Sequence, residues 1–234
     1  MATILYLETA TRVCSVALAN NENLLSLRET AVSNSHSELI TVFIQEVLQE
    51  AGISIRDIDA VAVSKGPGSY TGLRIGVSTA KGICYSLDKP LLSVGTLQAM
   101  ACGALLNNPD IDSNTLICPM LDARRMEVYY SLFDHHLNEI KTDSASVITE
   151  DFFSDILSTK KLLLIGDGAE KCTPLFKDQP NIKVVSDFAI SARYMIQSGL
   201  ESYNRQKFED VAYFEPFYLK DFVAGKPVVK GLNP

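Results

Sequence analysis

Apolar residues open the chain in three short bursts. Ile4–Glu8, Val13–Ala19 and Leu24–Thr30 are runs of strand-forming residues, parted by polar turns at Thr9–Arg12 and Asn20–Asn23. That succession predicts an antiparallel meander. The period then changes. Leu39, Ile40, Phe43, Ile44, Val47, Leu48 and Ala51 recur at three- and four-residue spacing and predict a helix, closed by Gly52. Ser35-His36-Ser37-Glu38, just ahead, has the form of a capping box. Asp59–Ser64 reads as a buried strand, Leu73–Leu87 as a second helix after a glycine-rich loop, and Leu91–Val94 as another strand.

The second half repeats the theme less cleanly. Leu116–Leu121, Glu127–Phe133 and a run through Val147 predict strands, with Lys161–Gly166 a further one. Thr149–Leu157, Ala169–Phe176 and Ile190–Tyr203 predict helices, the last a long amphipathic one. The order βββ-α-β-α-β is that of a ribonuclease H-like unit, and the second half is compatible with its repetition. The expectation is an α/β protein of two such lobes, residues 1–95 and 96–234, parted near Val94–Thr96. No low-complexity linker separates them, and Asn107–Asn114 is the most exposed connection.

Composition narrows the class. The chain has 234 residues, 47% apolar and 21% charged, with a net charge of −7. A chain so acidic is a poor nucleic-acid binder through any broad basic face, so an RNA ligand would need another subunit's positive surface. Five scattered cysteines without a CxxC pair read as reduced and buried. The N-terminus lacks the pattern of a secretory leader, no apolar run reaches bilayer length, and a cytoplasmic protein is expected.

The segment SKGPGSYTGLRIG, residues 64–76, poses the main question. Glycine-rich backbone before a helix can cradle phosphate, yet no Gly-Lys-Ser/Thr follows and Arg74 is the nearby cation. Gly72, Gly76 and Ala80 form a small-residue stripe. Glycine costs about 1 kcal/mol per helical site, so close approach by another backbone is implied, either this chain's own sheet or a second subunit. Asp122-Ala123-Arg124-Arg125-Met126-Glu127-Val128-Tyr129 is a second dense cluster, with Arg125, Glu127 and Tyr129 on one strand face. Glu8 and Asp122 could form a carboxylate pair across a cleft. His135 and His136 read as surface residues, and Ile40 stands four residues after His36, so a helical metal pair is missing. There is no GxSxG elbow.

The segments ILYLETATRVCSVAL, GPGSYTGLRIGVSTAKGI, LDARRMEVYYSLF, IGDGAEK and EPFYLKDF occur in that order between Ile4 and Phe222. Together they resemble the TsaB (YeaZ) family of bacterial tRNA threonylcarbamoyladenosine biosynthesis proteins, paralogues of TsaD. The resemblance implies two ribonuclease H-like lobes of the actin/Hsp70/sugar-kinase type. It also implies a pathway. TsaC forms threonylcarbamoyl-AMP from threonine, bicarbonate and ATP, TsaD transfers the group to tRNA, and TsaE is an associated ATPase. A non-catalytic subunit is expected, one that pairs with TsaD, and with itself, through the two first-lobe helices, tRNA being held mainly by TsaD. Leu39, Phe43, Val47, Gly72, Arg74, Gly76 and Ala80 are the expected interface, so that a large residue at Gly76 or Ala80 abolishes pairing and leaves the monomer folded. No metal and no resident cofactor are expected; ATP or ADP at a subunit interface is the alternative, with Glu8, Gly166 and Gly168 as its contacts. Glu8 itself departs from the aspartate usual in TsaB chains, and His36 stands where TsaD-like chains carry the first of two metal-binding histidines. The rival activities are an ATP-dependent phosphotransferase and a glycoprotease-like metallopeptidase.

Overall fold

The computed structural model describes residues 1–32 and 36–220; Ser35, the expected helix cap, lies outside them. Three strands, β1 (Thr3–Glu8), β2 (Cys14–Asn20) and β3 (Asn23–Thr30), form the meander. Helix α1 (His36–Ala51), strand β4 (Ala60–Gly66), helix α2 (Tyr70–Leu87) and strand β5 (Leu91–Gly95) follow. Their sheet runs β3-β2-β1-β4-β5, with β1 parallel to β4 and β4 to β5. Register is fixed by alternation. Ile4 and Tyr6 of β1 face one core, Leu5 and Leu7 the other.

The second sheet repeats this topology strand for strand. After helix α3 (Thr96–Asn107), the strands β6 (Thr115–Asp122), β7 (Glu127–Phe133) and β8 (Glu139–Val147) form a second meander. Helix α4 (Ser154–Leu157), strand β9 (Lys161–Ile165), helix α5 (Asp167–Phe176) and strand β10 (Ile182–Val185) complete it, in the order β10-β9-β6-β7-β8. Helix α6 (Ile196–Asn204) occupies the place after β10 that α3 occupies after β5.

Three cores hold the layers together. One packs α1 and α2 on the outer face of the first sheet, around Leu5, Leu7, Ile40, Val47 and Val77. Another packs α5 on the outer face of the second sheet, around Cys118, Tyr130, Phe153 and Leu164. The third lies between the sheets and combines Tyr6 and Leu92 with Met100 of α3, Ile117 and Ile165 of the second sheet, and Tyr194 and Leu200 from the chain's end. After Ile190 the chain returns to the first sheet. The Tyr6 hydroxyl donates to the Ile196 carbonyl at 3.2 Å, and the Glu209 amide to Leu91 at 2.9 Å.

Four elements differ from the sequence expectation. Helix α3, TLQAMACGALLN, lacks a polar face because it is enclosed between the two sheets, so amphipathic periodicity gave it no signal. Strand β10 has four residues and was not foreseen. The expected helix Thr149–Leu157 shrinks to Ser154–Leu157, and Ile190–Tyr203 splits into a 3₁₀ turn at Ala192–Met195 followed by α6. Ser191 makes that break, its hydroxyl accepting the Arg193 amide at 3.4 Å while donating to Glu29 at 2.7 Å. No helix among the described residues is long and apolar enough to cross a membrane.

Candidate functional site

The carboxyl ends of β1 and β6 face each other across a cleft of about 750 Å³. One wall is the Thr9–Arg12 turn with the loop ahead of α2. The other is the β6–β7 turn with Asp167 of α5, and Phe217–Lys220 run along the mouth.

The glycine-rich loop is explained by the turn beneath it. A methyl group built on Gly68 would overlap the Ala10 carbonyl, one on Gly72 the Thr9 carbonyl, and one on Gly76 the Thr9 hydroxyl. The glycines thus let α2 dock by its N-terminus on the first hairpin. Thr9 Oγ1 donates to the Gly72 carbonyl at 2.8 Å, and the Ser69 amide to the Ala10 carbonyl at 2.6 Å. Ser69 also caps α2, accepting the Gly72 amide at 3.2 Å. His36 clamps the same turn from α1. Its Nε2 lies 2.9 Å from the Thr11 carbonyl and 3.2 Å from that of Val13, so this nitrogen carries the proton and donates. No group of three or more His, Cys, Asp or Glu among the described residues could hold a metal.

Glu8 lies under the turn, fully buried. Its Oε1 accepts the Ala10 amide at 2.6 Å and the Ser64 hydroxyl at 3.1 Å, and Oε2 has no partner among the described residues. Burial pushes the carboxyl up to about 7 against the pull of those hydrogen bonds. Burial, with the Glu8 charge second, likewise pushes the Cys14 thiol up to about 11. Asp122 stands apart on the cleft surface, paired with Lys171 at 2.5 Å. The two carboxylates therefore do not face a common ligand, because Glu8 turns inward and is spent on the turn. Gly166 and Gly168 also serve packing, since a Cβ on either would collide with the backbone of Met120 or Leu121 in β6. Between them Asp167 accepts the Asp122 amide at 3.0 Å.

The expected interface divides into two groups. Val47, Gly72, Gly76 and Ala80 face inward and are buried, whereas Leu39 and Phe43 are half-exposed and Arg74 is exposed. A large residue at Gly76 or Ala80 would strike the protein's own core, so the expectation of a folded monomer at these positions is corrected. The outward ridge of α1 and α2 consists instead of Thr41, Val42, Thr71, Ser78, Gly82 and Tyr85 with Arg74. Its signal was available. Leu73, Gly76, Val77, Ala80 and Cys84 form the inward stripe, which leaves 71, 74, 78, 82 and 85 outside. Gly82 has open space beside it, and nothing among the described residues accounts for a glycine there.

The segment 209–220 joins this ridge to the cleft, a role not foreseen from sequence. Lys81 Nζ donates to the carbonyls of Ala212 (3.1 Å) and Phe214 (2.9 Å), and the Phe217 amide to Lys65 at 2.7 Å. Arg74 lies over the Tyr70 ring at 4.2 Å and donates to the Tyr218 hydroxyl at 3.2 Å, while Lys220 pairs with Glu127 of β7.

Two five-stranded lobes of the same strand order around a cleft define a duplicated α/β protein. The structure of YeaZ from Pseudomonas aeruginosa superposes with a TM-score of 0.79 at 22% identity, over 94% of this chain and 100% of that one. The chain belongs to the family of TsaD, tRNA N6-adenosine threonylcarbamoyltransferase, whose model matches residues 29–224. It is 29% identical to the tRNA threonylcarbamoyladenosine biosynthesis protein TsaB of Escherichia coli, over 95% of this chain and 96% of that protein. The protein of the same name in Haemophilus influenzae is 28% identical over 96% of both.

Proposed function

We propose that this chain serves tRNA threonylcarbamoyladenosine biosynthesis as a non-catalytic subunit, docking on the TsaD transferase through the outward ridge of α1 and α2. TsaE and a second copy of the chain belong to the same assembly, and no cofactor is resident. The observation that carries the reading is the occupation of the first-lobe loops. The Ala10 amide, the Thr9 hydroxyl and one oxygen of the buried Glu8 carboxylate are consumed by contacts between the hairpin, Ser64 and α2. The relatives' names supply the pathway.

The ridge is a mixed surface of hydroxyls, Arg74 and two exposed apolar side chains, Val42 and Tyr85, the latter 85% exposed. Small residues at 71, 78 and 82 allow a partner helix to approach closely. The test is reconstitution with TsaC, TsaD, TsaE, ATP, threonine, bicarbonate and unmodified tRNA. Modified nucleoside should form only when this chain is added, and the chain alone should be inert. Equal product without it would overturn the reading, and ATP turnover by the isolated chain would replace it with a phosphotransferase.

A further inference from the structure

The cleft mouth carries cations that neither the fold nor the docking ridge employs. Of the chain's eight arginines, Arg28 and Arg205 pair with carboxylates, and Arg74 and Arg193 lie over tyrosine rings. Four remain without an ion pair among the described residues; two of those, Arg12 and Arg124, line the cleft, and a third, Arg125, follows Arg124 on the same turn. Arg12 projects from the β1–β2 turn, the other two from the β6–β7 turn, and all are exposed.

The β6–β7 turn holds its arginines at a cost. Arg124 and Arg125 have φ of 73° and 50°, consecutive left-handed residues where glycine or asparagine would be cheaper. The conformation is fixed by Asp122, which accepts the Arg124 amide at 2.8 Å, and by backbone bonds from Ala123 to Glu127 (3.1 Å) and from Glu127 to Arg124 (3.2 Å). These bonds use only the main-chain groups of Arg124 and Arg125, so the turn would form with other side chains at the two positions, and the guanidinium groups make no hydrogen bond or ion pair among the described residues. Lys171 and Lys220 are matched by Asp122 and Glu127, and Asp167 is the remaining carboxylate of the rim. Counting the cleft lining, its ion-pair partners and Arg125, five cations stand against three carboxylates here, in a chain whose net charge is −7. A local excess of arginine against the overall sign suits phosphate, which a guanidinium fork binds bidentately.

We propose that Arg12, Arg124 and Arg125 form a phosphate-binding rim that holds the RNA backbone of the tRNA while the transferase acts on it. The proposal rests on the assembly reading above. It makes this chain a direct, sequence-independent contributor to substrate binding, in addition to its role as a docking partner. Because the net charge opposes a polyanion, the contribution belongs to the assembled complex, where the partner brings the RNA near.

The experiment uses the complex of this chain with TsaD and fluorescently labelled, unmodified tRNA, titrated across salt concentrations. The variant R12S/R124N/R125N removes three guanidinium groups and relieves the left-handed backbone, so its thermal stability should equal or exceed that of the native chain. Affinity for tRNA should fall at least tenfold at low salt. The slope of log affinity against log salt should become shallower by about two to three, one increment for each lost phosphate contact. Unchanged affinity and slope would overturn the proposal. So would a variant that loses binding of fluorescent ADP while tRNA binding is retained, since the rim would then serve a small phosphate. Co-purification of the native chain with TsaD is read separately, and its failure would fault the assembly reading instead.

Discussion

Glu8 shows how one residue can mark a cleft and yet be removed from its chemistry. In the fold it titrates near 7, raised by burial from about 4.5. Between those values the folded chain keeps a proton that the unfolded chain has released. Its contribution to stability is therefore complete below about 4.5, falls as pH rises through the window, and is level above about 7. Glu8→Gln, which cannot ionise, should match the native chain near pH 4 and exceed it by on the order of 3 kcal/mol near pH 8, read from urea midpoints. A difference that does not depend on pH would refute the buried-acid account. The glycines of α2 make a second pair of predictions. Gly72→Ala forces a methyl group onto the Thr9 carbonyl and should cost about 3 kcal/mol. Gly82→Ala enters open space and should stabilise the monomer by about 1 kcal/mol. Glycine content made this helix conspicuous in the sequence, but which glycine serves the fold and which the surface depends on where Thr9 and Ala10 lie, and periodicity does not report that.

At the scale of elements, short apolar strands bounded by turns and helices with one apolar face were legible, and a fully enclosed helix was not. The meander and β4 are such strands and α1 and α2 such helices, so their order could be read. Helix α3 is apolar on all sides, and the 209–220 segment has no period because its bonds to Lys65, Lys81 and Leu91 are made by its backbone. That segment links two regions the sequence reading kept separate. Lys81→Met should free it, and hydrogen exchange should rise at least tenfold at the Phe217 amide while the amides of β4 keep their protection. Unchanged protection at Phe217 would mean that the Lys65 and Leu91 contacts hold the segment without Lys81.

The whole molecule is a duplicated unit in whose first copy the turn after β1 is packed against α2. Both lobes keep the strand order β3-β2-β1-β4-β5 and its repeat, and α1 and α2 cover the outer face of the first sheet. The sequence order made this duplication visible in outline. The inward turn of Glu8 required the packed structure, whereas the outward turn of Ser78 follows from the apolar stripe of α2. Docking and chemistry can then be separated by two substitutions on opposite sides of α2. The decisive measurement is threonylcarbamoyladenosine formed in the reconstituted system with the native chain, with Glu8→Gln and with Ser78→Arg. A non-catalytic docking subunit predicts native yield from Glu8→Gln and at least a tenfold loss, with loss of co-purifying TsaD, from Ser78→Arg. Loss of product with Glu8→Gln in an intact complex, and full product with Ser78→Arg, would contradict it.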